Sequence, residues 1–272
     1  MQSLDWHRHN WSGHTTFRPA RFHQPATTAQ VQDIVRAADK VRVIGARHCF
    51  NDIADTSGDL LWLGDLAGAV SIDATRRTVT VPGGITYEAL CPQLDQAGFA
   101  LPNLASLKHI SVVGACMTAT HGSGDASGNL ATAIAELEMV MAGGGLVRLS
   151  RQRDKEAFAG AAVSLGALGV VTRLTLDLVP AFLLQQDCYE RLPLETLCER
   201  FDEVTSLGYS VSLFTTWRND WIDTVWVKHR ARERKTVPVP KEIFGAPLAS
   251  ERPSGERPAD RTHALRPAGA MA

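Results

Sequence analysis

Apolar positions along the first 180 residues change rhythm repeatedly, and each change marks an element. After Thr27 and Thr28, either of which can cap a helix, Val31, Ile34, Val35 and Ala38 fall on one helical face. Val41, Val43 and Ile44 then read as a short strand that stops at Gly45, with GARHCFND following as a loop. Residues 60–63, 69–72 and 78–81 predict further strands. Pro82-Gly83-Gly84 ends the last of these, and Thr86 caps a helix carrying Leu90, Leu94 and Ala97. Residues 133–141 and 146–149 flank Ala142-Gly143-Gly144-Gly145, a hairpin signal. Phe158 falls in a short helix, and Val171, Leu174, Leu176 and Leu178 alternate with other residues until Pro180. Strands interleaved with helices in this way predict an α+β or α/β domain.

Beyond Pro180 the texture changes. Residues 192–204 predict a helix and residues 209–214 and 223–227 predict strands, while Trp217, Trp221 and Trp226 add an aromatic surface without a complete core. From Ala231 onward proline, arginine and small residues dominate and periodicity vanishes. Such a segment buries too little apolar area to offset its ordering entropy, so residues 231–272 are expected to be disordered or a degenerate tail. Acids interspersed among the arginines, with few aromatics, argue against a nucleic-acid-binding arm.

Composition narrows the class. The 272 residues are 44% hydrophobic and 21% charged, as in soluble globular proteins, and the net charge of -1 offers no footprint for nucleic acid or an anionic membrane. No apolar run approaches the ~20 residues of a membrane span. The first residues, MQSLDWHRHNWSGH, lack the apolar stretch of a secretory signal, so a cytoplasmic location is expected. Cys49, Cys91, Cys116, Cys188 and Cys198 are odd in number and widely spaced, which disfavours a disulfide framework or a metal site.

Four glycine-bearing turns follow strand ends: Gly45, Gly83-Gly84, Gly114 and Gly143 to Gly145. None fits GxGxxG opening a helix, and GxxxxGK[ST] is absent, which argues against a nicotinamide Rossmann site and a P-loop. The last turn reads as hairpin chemistry; the other three could converge on one long ligand. The stretch LPNLASLKHISVVGACMTATHGSG, residues 101–124, is the most distinctive. It places Gly114, Gly122 and Gly124 among five hydroxyl residues, with His109 and His121 and almost no charge. Small residues let backbone N–H groups approach a ligand, and hydroxyls add donors without fixed charge, the chemistry needed to hold a pyrophosphate. A buried turn whose hydroxyls bond the backbone is the alternative reading of this stretch.

The segments VRVIGARHCFNDI, VTVPGGITYEAL, LPNLASLKHISVVGACMTATHGSG, SLGALGVVTRLTLDLVPAF and YSVSLFTTW together resemble the flavoprotein oxidases of the vanillyl-alcohol oxidase superfamily, most closely the alditol (xylitol) oxidases. The resemblance runs over roughly residues 10 to 230. It implies an α+β fold of the split, two-subdomain FAD-binding (PCMH) type over residues 12–181. An incomplete α/β substrate cap follows over 182–230. It also implies FAD as cofactor, and oxidation of a small polyol by O2 with hydrogen peroxide as product. No nucleic-acid or membrane partner is implied, and the oligomeric state is left open.

By the same resemblance, the first loop (Gly45, Ala46, Arg47, His48, Cys49, Phe50, Asn51) lies against the flavin, and His48 occupies the position that family members join covalently to it. Arg47 and Cys49 stand where glycine and serine are usual, which leaves the covalent link open. An arginine there implies either a strained loop or a positive charge over the phosphates. Ser111, Gly114, Thr118, Ala119, Thr120 and His121 match flavin-contacting positions, Val171 a backbone contact, and Ser106 a residue touching both flavin and polyol. His121 reads as a cofactor wall rather than a general base, and Cys116 and Met117 as packing. The family's substrate-clamping Glu-x-Arg pair, threonine and lysine have no counterpart after Trp226, so no catalytic residue is assigned. The resemblance thereby implies a chain truncated at its C-terminal side; alternatives are a non-catalytic FAD-binding remnant or a sugar-1,4-lactone oxidase.

Overall fold

The computed structural model describes residues 9–231 and 237–250, together with the backbone of residues 266–267. Helix Thr28–Ala37 starts where the sequence allows: Thr27 Oγ1 accepts from the Gln30 amide, and Gln30 Oε1 accepts from the Thr27 amide, a reciprocal capping box. Its buried Val31 and Val35 face a parallel sheet of three strands in the order Arg21–His23, Asp59–Trp62, Val41–Ile44. This small sheet delivers the Gly45 loop.

Asp59 locks the sheet. Its buried carboxylate accepts from Arg21 Nε at 2.7 Å and Nη2 at 2.6 Å, and lies 2.5 Å from His23 Nε2. Hydrogen bonding from Arg21, aided by His23, outweighs burial and holds the Asp59 carboxyl at about 2.

Five antiparallel strands form the main sheet, in the order Ser71–Asp73, Thr78–Pro82, Gly169–Asp177, Ile134–Met141, Leu146–Ser150. Gly169–Asp177 is central, so it is buried except at Arg173 and towards its ends, and even Thr172 is enclosed, donating to Glu138 Oε1 at 2.9 Å. Helices Tyr87–Gln96, Val112–Met117 and Lys155–Ala162 help build the largest core, which gathers Val79, Val81, Leu90, Leu94, Phe158 and Leu174. Each such side chain contributes about 1.5–3 kcal/mol by leaving water. Thr86 caps Tyr87–Gln96 as expected, accepting from the Ala89 amide. The 143–145 turn packs on helix Thr28–Ala37, with Gln32 Nε2 donating to Gly144 O, and is a structural corner.

A second sheet orders Ser210–Phe214, Trp221–Ala231, Leu183–Pro193 and Arg266–Pro267. Here the structure departs from expectation. Residues 192–204 are not one helix: Leu183–Pro193 is an eleven-residue strand, followed by helices Leu194–Glu199 and Phe201–Thr205, separated at Arg200. Residues 237–250, expected to be unstructured, form strands Glu242–Ile243 and Ala246–Pro247 joined by Phe244-Gly245, both at positive φ. Ile243 and Ala246 bury themselves against Tyr189, Leu192 and Val204, while Gln185 exchanges hydrogen bonds with the Val237 backbone. That burial is what the composition of the segment conceals. The remainder of the expected tail (232–236, 251–265 and 268–272) lies outside the described residues.

The two parts meet at a clamp. The Arg230 guanidinium lies 4.1 and 4.3 Å from the ring centroids of Phe182 and Tyr209, which meet each other edge-on, and both Arg230 and Tyr209 donate to Pro102 O. Pro102 stands at the head of the Gly-, Ser- and Thr-rich stretch, so the second sheet is tied directly to it.

Candidate functional site

Three glycine-bearing segments converge, although Gly114 lies in a helix and not at a turn after a strand. Strand Val41–Ile44 ends at Gly45, strand Thr78–Pro82 ends at Gly83-Gly84, and Gly114 lies inside the short helix Val112–Met117. Backbone bonds set the second against the third: Tyr87 N donates to Ile110 O at 3.2 Å and Val112 N to Ile85 O at 3.0 Å. Ser111 pins the first. A Cβ at Gly45 would overlap Ser111 Oγ, and one at Gly114 would lie 2.5 Å from the same oxygen. A side chain at either position would push the Ser111 hydroxyl out of its place between them.

The converging segments line two neighbouring cavities of about 410 and 270 Å³, the larger within the ~300–1,000 Å³ typical of ligand sites. Gly45, Ala46, Arg47, Ser111, Gly114 and Met117 border both. The larger continues past His48, Cys49, Asn51, Thr118 and Thr120 to Leu165-Gly166; the smaller runs past Gly83, Gly84, Thr86 and His109 to Val171.

Most of the residues singled out from sequence therefore come together. Four do not reach these walls. Phe50 is 70% exposed and meets Trp11 edge-on. Ala119 turns the chain at φ 53°, and His121 is exposed with Nδ1 3.2 Å from Gly122 O. Ser106 borders a separate crevice of about 40 Å³ between the two parts, shared with Ser123, Ser210, Ser212 and Lys228. Conversely, Trp62, His109, Leu165 and Gly166 line the cavities without having been singled out as contacts. His109 stood in the distinctive stretch, and Leu165 and Gly166 stood in the SLGALG motif. Their position could have been inferred only from how the sheets bring those loops together.

The first loop carries the chemistry. Arg47 adopts φ 62°, the left-handed conformation that glycine takes without strain. Bonds from outside hold it there: Trp11 N donates to Arg47 O at 2.7 Å, Asn10 Nδ2 to Cys49 O at 2.9 Å, and Arg47 Nη1 to His9 O at 3.1 Å. The Arg47 charge thus engages the N-terminal turn. His48 Nε2 lies 2.6 Å from His109 Nε2. Burial first, then the neighbouring His109 and Arg47, push the His48 imidazole below its ordinary pKa, which favours the neutral, lone-pair-bearing form at neutral pH. Burial pushes the Cys49 thiol up, keeping it protonated. Among the described residues, no group of three or more His, Cys, Asp or Glu could hold a metal ion, and no helix is long and apolar enough to cross a membrane.

Residues 19–150 match the model of the FAD binding domain family. The chain is similar to an alditol oxidase from Streptomyces sp., with 46% identity over 224 residues, 81% of this chain and 53% of that protein. It is also similar to an L-gulono-1,4-lactone dehydrogenase from Mycobacterium tuberculosis, with 38% identity over 198 residues, 71% of this chain and 45% of that protein. Among solved structures, a cholesterol oxidase from Brevibacterium sterolicum superposes with a TM-score of 0.70 at 17% identity, covering 82% of this chain and 47% of that one. This last likeness is one of fold alone. The chain spans about half the length of the curated relatives it matches.

Proposed function

We propose that this chain, whose residues 19–150 match the model of the FAD binding domain family, provides the flavin-holding part of an FAD-dependent oxidase of sugar alcohols. The observation that carries the reading is the convergence of Gly45, Gly83-Gly84 and Gly114, from two strand ends and one short helix, on the smaller cavity. The walls of the two cavities fit an extended dinucleotide. They combine glycine backbone, the hydroxyls of Ser111, Thr118 and Thr120, and an apolar floor of Val43, Ile44 and Met117.

In this reading the backbone at Gly45, Gly83-Gly84 and Gly114 lines the part of the site that takes the pyrophosphate. Ser111 contributes its hydroxyl between two of these segments. His48 presents a neutral imidazole to the edge of the flavin, the state needed for attachment at the ring's methyl group. Bound FAD supplies a two-electron acceptor for hydride from the substrate carbinol and, in an oxidase, a route for those electrons to O2. Ser106, in its polar crevice beneath the second sheet, faces the substrate side. The similarity to a lactone dehydrogenase favours a sugar-1,4-lactone as the second substrate class.

The test is the intact mass and visible spectrum of the purified chain after FAD loading, followed by addition of xylitol or L-gulono-1,4-lactone. A bound flavin that survives denaturation in the wild type and is released in His48→Gln supports attachment at His48. A colourless protein after loading contradicts the flavin reading.

A further inference from the structure

The N-terminal turn, residues 9–16, lies outside the matched segment 19–150 yet closes over the first loop. Trp11 stacks on His48 with ring centroids 5.2 Å apart and planes 23° from parallel. Trp11 is 61% exposed, so burial gives its ring little reason to be there. Its backbone, by contrast, is firmly placed. Its amide donates to Arg47 O, and the neighbouring Asn10 is a buried hub that donates to Ser12 Oγ and Cys49 O and accepts from the Thr15 amide.

We propose that Trp11 is a positioning residue for His48, its indole fixing the plane of the imidazole while His109 fixes the ring's rotation within that plane. Two contacts of different kinds are needed because an imidazole on a loop has two side-chain torsions to settle. The hydrogen-bond distance to His109 sets where Nε2 points, but leaves the ring free to tilt about that bond. A flat indole face at stacking distance removes the tilt. Held from both sides, His48 keeps one orientation on the wall of the larger cavity. This inference rests on the flavin reading above, because the orientation matters for what the cavity binds.

Two readouts on the full chain test it: the His48 ring-proton resonances, assigned with His48→Gln, and equilibrium FAD binding. In the wild type the indole ring current is expected to shift the His48 protons upfield. Trp11→Ala should abolish that shift and weaken FAD binding about three- to tenfold, the range of one aromatic stack. Trp11→Phe, which keeps a ring face, should retain most of both. Trp11→Leu, apolar but without a ring, should behave like Trp11→Ala and covers the case in which the alanine variant does not fold. Unshifted His48 protons in the wild type, or a Trp11→Leu variant matching the wild type in both readouts, would overturn the proposal. A wild type that takes up no FAD refutes the flavin reading, while the ring-proton shift still decides whether Trp11 positions His48.

Discussion

At the scale of single residues, Ser111 and Arg47 show how tightly the site is drawn. Ser111 Oγ occupies space that a Cβ at Gly45 would need, whereas Ser111 Cβ stands 3.4 Å from that point, an ordinary contact. Gly45→Ala should therefore force the Ser111 hydroxyl out of its place and weaken FAD binding about tenfold, and Ser111→Ala in the same chain should restore much of the loss. A titration of both variants checks this, and failure of the double variant to recover would show that Gly45 serves something other than close approach. Arg47 is held at φ 62° by contacts from the N-terminal turn. Arg47→Gly should relieve about 1 kcal/mol of backbone strain and raise the melting temperature by about 2–4 °C. An unchanged or lower melting temperature would mean that the lost bond to His9 O outweighs the strain. The strain itself was legible in the sequence, because an arginine stood where glycine is usual. Trp11 was not legible, because nothing in a lone exposed aromatic indicates which loop it will cover.

Elements carry the next set of consequences. The strand pair that delivers the first loop depends on Asp59, whose carboxyl is held at about 2 by Arg21 and His23. A depressed carboxyl pKa stabilises the fold above the unfolded value of ~3.9, and that contribution is lost as pH falls through about 2. Asp59→Asn should lower stability at neutral pH by about 2 kcal/mol and flatten the acid limb of the stability curve between those values, as read by urea unfolding across pH. The hairpin over Leu183–Pro193 makes a parallel case. Ile243→Ala should cost about 2–4 kcal/mol in the same assay, against almost nothing if residues 237–250 were detached.

Elements were legible from sequence where one face is wet. Helices Thr28–Ala37 and Tyr87–Gln96 declared themselves through caps and stripes. Strand Leu183–Pro193 did not, because Gln185 and Asp187 are buried among polar partners and interrupt the alternation. Residues 237–250 escaped notice because a few apolar residues such as Ile243 and Ala246 and backbone bonds to Gln185, Cys188 and Tyr189 carry their order, inside a stretch whose composition otherwise argues against any.

For the whole molecule, convergence decides the reading. The sequence marked Gly45, Gly83-Gly84 and Gly114 as separate turns that could meet on one ligand, and the three- and five-stranded sheets bring these residues to one common cavity. The site's outer members were beyond reach. Leu165 and Gly166 arrive from a loop more than a hundred positions away from Gly45, and Ser106 lies in a crevice that exists only because the second sheet docks through Arg230. Catalysis is proposed on similarity to longer proteins; cofactor binding is what this chain's own residues argue for. The most direct test is an equilibrium titration of the purified chain with FAD, followed by flavin absorbance. Saturable binding of one FAD per chain in the wild type, weakened about tenfold in Gly45→Ala, is the result predicted here. Absence of saturable binding, or binding that Gly45→Ala leaves unchanged, would contradict it.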